Sequence, residues 1–208
     1  MATKKLFPTL VYQSKLFPKR NEWEKVRKSL LLEIEDISGL DVAGRDWSKE
    51  NYRGGFTSYA SANQLHRYSP GFHSLERMLD KHVAKFSKEL DWELGGSKLK
   101  MTNCWVNIMG EGTQHTMHIH PLSAVSGTVY INLPKNSPGL KFEDPRLVQF
   151  MNCPPRKERA KEENKNFFWA QPEEGDCILF ESWTRHEVPQ HSGKRPRISA
   201  SFNYAWTE

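Results

Sequence analysis

Long apolar runs are missing from this sequence: no stretch approaches the roughly 18 consecutive apolar residues that a membrane-spanning helix requires. Cysteine is scarce, with Cys104, Cys153 and Cys177 scattered and in no paired spacing. That argues against a disulfide framework and makes a reducing, cytoplasmic compartment the default expectation. The opening Met1-Ala-Thr-Lys-Lys5 carries no signal-peptide pattern. There is no internal repeat and no linker-like segment, so the 208 residues are expected to form one domain, 1–208, with a core of its own. Charge of one sign is not concentrated either. The net +5 is spread along the chain without a basic stripe interleaved with aromatics, which permits an acidic ligand but argues against a nucleic-acid partner. What the chain does have is histidine in one region: five of its eight histidines fall between His115 and His191.

Residues 1–100 read as a helical cover. Asn21-Glu-Trp-Glu24 is a plausible helix start, after which Trp23, Val26, Leu30 and Ile34 fall on one stripe. A second helix is expected after Ser69-Pro70, with Leu75, Met78, Leu79, Val83, Phe86 and Leu90 as its apolar face and Gly95-Gly96 as its end. Between them Asn51 to Ser61 reads as a glycine-broken loop with some strand character. His66, His73 and His82 read as surface or packing residues.

From about Lys100 the period changes to two, the repeat of a β-strand. Asn103, Trp105 and Asn107 alternate with Cys104, Val106 and Ile108. Ser126, Thr128, Tyr130 and Asn132 alternate with Val125, Val129, Ile131 and Leu133. Arg197, Ser199, Ser201 and Asn203 alternate with Ile198, Ala200, Phe202 and Tyr204. Each strand therefore has an apolar face, which the amphipathic helices can cover, and a polar face with almost no charge. Solvent could meet the polar faces, but Ser, Thr, Asn, Tyr and a single Arg better suit the inside of a small open barrel holding a polar ligand. The run Arg156 to Lys165 mixes charges and reads as a solvated loop, with a lid as the alternative.

Three elements carry chemistry. His118 and His120 lie two apart, so on a strand both imidazoles can reach one metal ion; His115, three earlier, is placed beside them, facing substrate or solvent. His186 opens a short strand, His186-Glu-Val188, and could close a three-ligand site with open positions for substrate and oxygen. Arg197, eleven residues on, shares its strand face with Ser199 and with no acid. A buried guanidinium of that kind calls for an anionic ligand, and Tyr130 could add a hydrogen bond to the same carboxylate.

His118-Ile-His120, Val129-Tyr-Ile-Asn132, Gly139-Leu-Lys-Phe142, His186-Glu-Val188 and Arg197-Ile-Ser199 together resemble the iron(II)- and 2-oxoglutarate-dependent oxygenases. The fuller strings His118-x-His120-Pro-x-Ser-x-x-Ser-Gly-x-x-Tyr130, Glu143-Asp-Pro-Arg146 and Arg197-Ile-Ser-x-Ser-Phe-Asn203, with the loop Gly54-Gly55-Phe56, resemble a bacterial and phage branch related to prolyl hydroxylases. The resemblance implies an α+β, mainly β chain: a double-stranded β-helix of jelly-roll or cupin-like type over 101–208, covered on one face by N-terminal helices. It implies Fe(II) and 2-oxoglutarate as cofactors, with O2 and a prime substrate as partners. By the same resemblance His118 and His186 would be metal ligands, Arg197 would grip the distal carboxylate of the cosubstrate with help from Tyr130, and Asn107 or Ser199 would lie nearby. The family usually has Asp or Glu where this chain has His120. Either His120 is the third ligand, the reading preferred on strand phase, or an acid such as Asp144 or Glu143 supplies it, or the position is open.

Two other classes remain at this point. Gly112 followed by His118-x-His120 also resembles the start of a cupin motif, which would support a dioxygenase or isomerase without the cosubstrate, although no glutamate follows where a cupin has one. A barrel that binds a polar ligand without turnover is the other. The prime substrate could be a protein side chain such as proline or a small metabolite, with Trp105, Trp183, His115 and Met117 as possible residues of the substrate mouth.

Overall fold

A computed structural model describes residues 3–207. Met1 and Ala2, which belong to the opening stretch without a signal-peptide pattern, and Glu208 lie outside the described residues. In chain order the elements are β1 (Val11–Lys15), α1 (Arg20–Leu40), α2 (Val42–Asn51), β2 (Gly55–Thr57), α3 (Leu65–Tyr68), α4 (Pro70–Glu89), β3 (Leu99–Met109), β4 (His115–His118), β5 (Val125–Asn132), β6 (Lys141–Glu143), β7 (Phe167–Trp169), β8 (Asp176–Glu181), β9 (His186–Val188) and β10 (Arg197–Trp206). Among the described residues these strands form two antiparallel sheets: a six-stranded one ordered β1-β8-β5-β10-β3-β2 and a four-stranded one ordered β4-β9-β6-β7. None of the described helices is long and apolar enough to cross a membrane.

The alternation of β3, β5 and β10 separates two environments. Cys104, Val106, Val125, Val129, Ala200, Phe202 and Tyr204 join Leu30 and Ile34 of α1 and Phe72, Leu75, Leu79, Val83 and Phe86 of α4 in one core cluster. Met109, Tyr130, Ile178 and Phe180 of the six-stranded sheet join Leu140, Ala170 and, from the four-stranded sheet, Phe142 and Val188 in a second. The two sheets therefore pack through the second cluster, and the helices cover the outer face of the larger sheet, as layered packing of half-apolar elements requires. Gly127 in β5 is needed here. A Cβ on it would lie 2.5 Å from the Ile178 carbonyl oxygen and 2.6 Å from the Phe202 ring.

Several local expectations change. The first hundred residues are not only a helical cover, because β1 and β2 form the two edges of the larger sheet; the Val11-Tyr-Gln-Ser-Lys15 alternation is short enough to escape a helix-scale window. The start of α1 is capped by Lys19 without a side-chain hydrogen bond rather than by Asn21. An unanticipated α2 follows, its N-terminus closed by the Asp41 side chain accepting from the Gly44 N–H at 2.8 Å. The helix α4 ends at Glu89, before Gly95-Gly96; Asp91, at φ 54, already turns the chain.

Candidate active site

The central strand β10 brings the polar face together. Ser199 stands between Asn107 and Tyr130, Ser201 between Trp105 and Thr128, and Asn203 between Asn103 and Ser126. Register shifts between Ile198 and Ser199 against β5, a bulge that turns Asn132 out of this set. Asn132 bonds instead to Arg27 of α1 at 2.8 Å. Asn103, Trp105, Asn107, Thr128, Ser199, Ser201 and Asn203 line a cavity of about 830 Å³ that also holds His115, His118, His120, His186 and Arg197, whereas Ser126 and Tyr130 are buried behind its wall.

At one end His118, His120 and His186 offer ligand atoms that all lie within 4.8 Å of one another. His118 and His186 face each other across the β4–β9 ladder. His120 lies just past the end of β4, where its N–H donates to the Ser182 carbonyl at 2.9 Å and keeps the chain extended. The outward nitrogens are all engaged. Nδ1 of His118 donates to the Thr116 carbonyl at 2.6 Å, Nδ1 of His186 to the Thr184 carbonyl at 2.9 Å, and Nδ1 of His120 to Asn203 Oδ1 at 2.7 Å. Carbonyls only accept, so the protons of His118 and His186 sit on Nδ1 and each Nε2 presents a lone pair inward. Burial, then the neighbouring His118, pushes the pKa of His186 down to about 3 and that of His120 to about 4, so both are neutral, the form that binds metal.

Nε2 of His118 and Nε2 of His120 stand 3.3 Å apart. Two lone pairs at that distance repel unless a cation lies between them. Metal–nitrogen bonds of about 2.1 Å would set neighbouring ligands roughly 3.0–3.4 Å apart, so this donor set fits a divalent metal. The acids considered as alternative third ligands lie elsewhere: Glu143 accepts from Arg185 at 2.7 Å, and Asp144 is held by Arg146 at 2.7 Å. Neither belongs to the histidine cluster.

At the other end Arg197 is 1% exposed. Its Nε donates to the Pro138 carbonyl at 3.1 Å, and its Nη1 to Ser199 Oγ at 3.1 Å and Met109 Sδ at 3.2 Å. Its Nη2 has no partner and no carboxylate pairs with it among the described residues. The guanidinium lies 5.0 Å from the centre of the Tyr130 ring, and the buried Tyr130 hydroxyl is also without a partner. Burial pushes that phenol up to about 12, so it remains a donor. A buried cation and an unused hydroxyl side by side are costly unless an anion joins them, which fits the distal carboxylate of a dicarboxylate.

Asn107 is engaged on both sides of its amide, accepting from Thr57 Oγ1 at 2.8 Å and donating to Ser201 Oγ at 3.1 Å. Trp105 lines the cavity, stacked 5.9 Å from the His120 ring, whereas Trp183 and Met117 are not among the lining residues. His191 is fully buried, with its Nε2 at 2.9 Å from the Arg195 carbonyl. Residues 156–165 are exposed but for the half-buried Ala160, and none lines the cavity. Sequence reasoning gave no role to two residues placed here: Asn203, which its polar strand phase puts beside His120, and Tyr52, whose only sequence signal is the Gly54-Gly55 pair that follows it.

Residues 103–203 match the family described as "Putative 2OG-Fe(II) oxygenase". Among curated proteins no sequence matches the chain. The structure of HygX from Streptomyces hygroscopicus, with nickel and 2-oxoglutarate bound, is 14% identical with a TM-score of 0.63, over 96% of this chain and 84% of that one. A Pseudomonas putida prolyl-4-hydroxylase is 14% identical with a TM-score of 0.59, over 96% of this chain and 94% of that one. An oxidoreductase of the 2OG-Fe(II) oxygenase family from Burkholderia pseudomallei is 14% identical with a TM-score of 0.49; 67% of this chain aligns, spanning 60% of that protein's length. At these identities the structural likeness is one of fold. What resembles the 2-oxoglutarate- and Fe(II)-dependent oxygenases is therefore the β core, residues 103–203, just under half of the chain. The matched segment contains His118, His120 and His186, which could hold a metal ion, and Arg197.

Proposed function

We propose that this protein is an oxygenase enzyme with Fe(II) and 2-oxoglutarate as cofactors, a dioxygenase that hydroxylates a C–H bond of a prime substrate, either a protein side chain such as proline or a small metabolite. One observation carries the reading: three inward imidazole lone pairs and a buried guanidinium without a counter-anion line the same cavity. A 2-oxo dicarboxylate suits such a cavity, with its oxoacid end at the metal and its far carboxylate at the arginine. We read the two antiparallel sheets as the layers of a double-stranded β-helix. In this reading the chain is one domain, with residues 1–100 as its cover and 101–208 as its core. The free cysteines Cys104, Cys153 and Cys177 support a cytoplasmic setting.

In this reading His118, His120 and His186 hold the metal through Nε2, and the carbonyls of Thr116 and Thr184 with the amide of Asn203 keep the rings aimed. Arg197 Nη2 and the Tyr130 hydroxyl bind the distal carboxylate, with Ser199 steadying the guanidinium. Bound Fe(II) and 2-oxoglutarate supply the oxidation, in which O2 is consumed, succinate and CO2 are released and the substrate C–H becomes C–OH. Trp105 shields the His120 side of the cavity from water. Prolyl hydroxylation is the activity named for the Pseudomonas putida neighbour, and that is the support for a protein-bound substrate. Adding 2-oxoglutarate to the Fe(II) protein without oxygen is expected to produce a visible charge-transfer band; no band would sink the proposal.

A further inference from the structure

A pair in the cavity, the buried Tyr52 and the half-buried His115, is explained neither by the histidine cluster nor by Arg197. Tyr52 ends α2, its N–H bonded to the Ser48 carbonyl at 2.8 Å, and the chain then turns through Gly54 at φ 83 into β2. A Cβ on Gly55 would lie 2.8 Å from the Tyr52 ring and 2.6 Å from the Ile108 carbonyl oxygen, so only glycine lets the ring lie against this turn. The Tyr52 side chain is thereby buried, with its hydroxyl 2.6 Å from His115 Nε2 and the two rings 4.6 Å apart. His115 opens β4, and its ring lies 6.5 Å from that of His118. Both members of the pair line the cavity with Arg197.

The hydrogen bond fixes a tautomer. Burial raises the pKa of the Tyr52 phenol, so the hydroxyl stays protonated. A phenol O–H is a stronger donor than a neutral imidazole N–H, and an imidazole nitrogen a better acceptor than a phenol oxygen, so the hydroxyl donates to Nε2 across the 2.6 Å contact. Burial first, then the charge of Arg197 and the neighbouring His118, pushes His115 down to about 3 and keeps the imidazole neutral. Its single proton must therefore sit on Nδ1, which has no partner among the described residues. The result is a neutral N–H donor in the cavity that holds both the guanidinium and the metal-binding imidazoles. A second lysine or arginine in this place would bury another cation when the site is empty; the Tyr52–His115 pair offers a donor without that cost.

We propose that His115 is a cosubstrate-binding residue whose Nδ1–H donates to a carboxylate oxygen of the 2-oxoacid, and that Tyr52 is the positioning residue that sets its tautomer. This rests on the 2-oxoglutarate reading above. The test is calorimetric titration of 2-oxoglutarate into the Mn(II)-loaded full chain, with Mn(II) affinity alone measured beside it. Tyr52→Phe is expected to weaken 2-oxoglutarate binding about tenfold and His115→Leu at least as much, each with unchanged Mn(II) affinity. The double variant is expected to be no weaker than His115→Leu, because the two act as a unit, and His115→Gln, which keeps a donor, to recover most of the affinity. Tyr52→Phe and His115→Leu both within twofold of the parent would overturn the assignment, as would a parallel fall in Mn(II) affinity, which marks a structural role. If the unaltered Mn(II) protein takes up no 2-oxoglutarate, the failure lies in the functional reading itself.

Discussion

Phe202 and Asn203 are neighbours in β10 and face opposite ways. Phe202 is fully buried with Val106, Val129, Leu79 and Phe86 under the helices, while Asn203 accepts from His120 Nδ1 and from Ser126 Oγ in the cavity. The same contrast runs the length of the larger sheet. Its helix side is closed by apolar side chains, which stabilise by leaving water. Its cavity side withholds that burial and holds polar groups to one another at 2.7–3.1 Å, as in Ser126–Ser182, Ser126–Asn203 and Asn107–Ser201. One strand thus supplies stability from its even positions and binding chemistry from its odd ones.

That division can be broken from either side. The largest effect is expected from Phe202→Ala, which should cost about 3–5 kcal/mol of stability in denaturant unfolding. The fraction that remains folded should bind 2-oxoglutarate as before; loss of that affinity would show that the two faces are coupled. Next is Arg197→Met on the cavity side. It should weaken 2-oxoglutarate binding about a hundredfold by removing the charge partner, while the melting temperature of the ligand-free protein does not fall, since an unpaired buried cation is itself unfavourable. A large drop in melting temperature would make Arg197 a structural residue. The smallest is Asn203→Ala, which frees the outer nitrogen of His120 and should weaken metal binding about tenfold, measured by competition with a chelator. An unchanged metal affinity would remove His120 from the ligand set.

The polar faces of β3, β5 and β10 were legible because side-chain alternation is a local property that survives folding, and the pairing of His118 with His120 followed from the same rule. The bulge that removes Asn132 was not legible, since register depends on the partner strand. Nor was Tyr52, whose hydroxyl meets a histidine 63 positions away. The third-ligand question was open because sequence order brings Asp144 and Glu143 close to the motif; their pairing with Arg146 and Arg185 takes both away from the histidine cluster. The edge strand β1 escaped because five residues carry too few alternations to stand out beside a 21-residue helix.

The placement of β1 also sets the order in which the protein can mature. Val11 pairs with Phe180 and Lys15 with Asp176, so an early segment waits for a late one, and the closing strand β10 is inserted between β5 and β3 later still. Contacts this distant in the chain must overcome a large loss of freedom before they reward it, which makes such topologies slow to assemble. Arg197 arrives with β10. The cavity therefore gains its anion-binding end only when β10 pairs with β3 and β5.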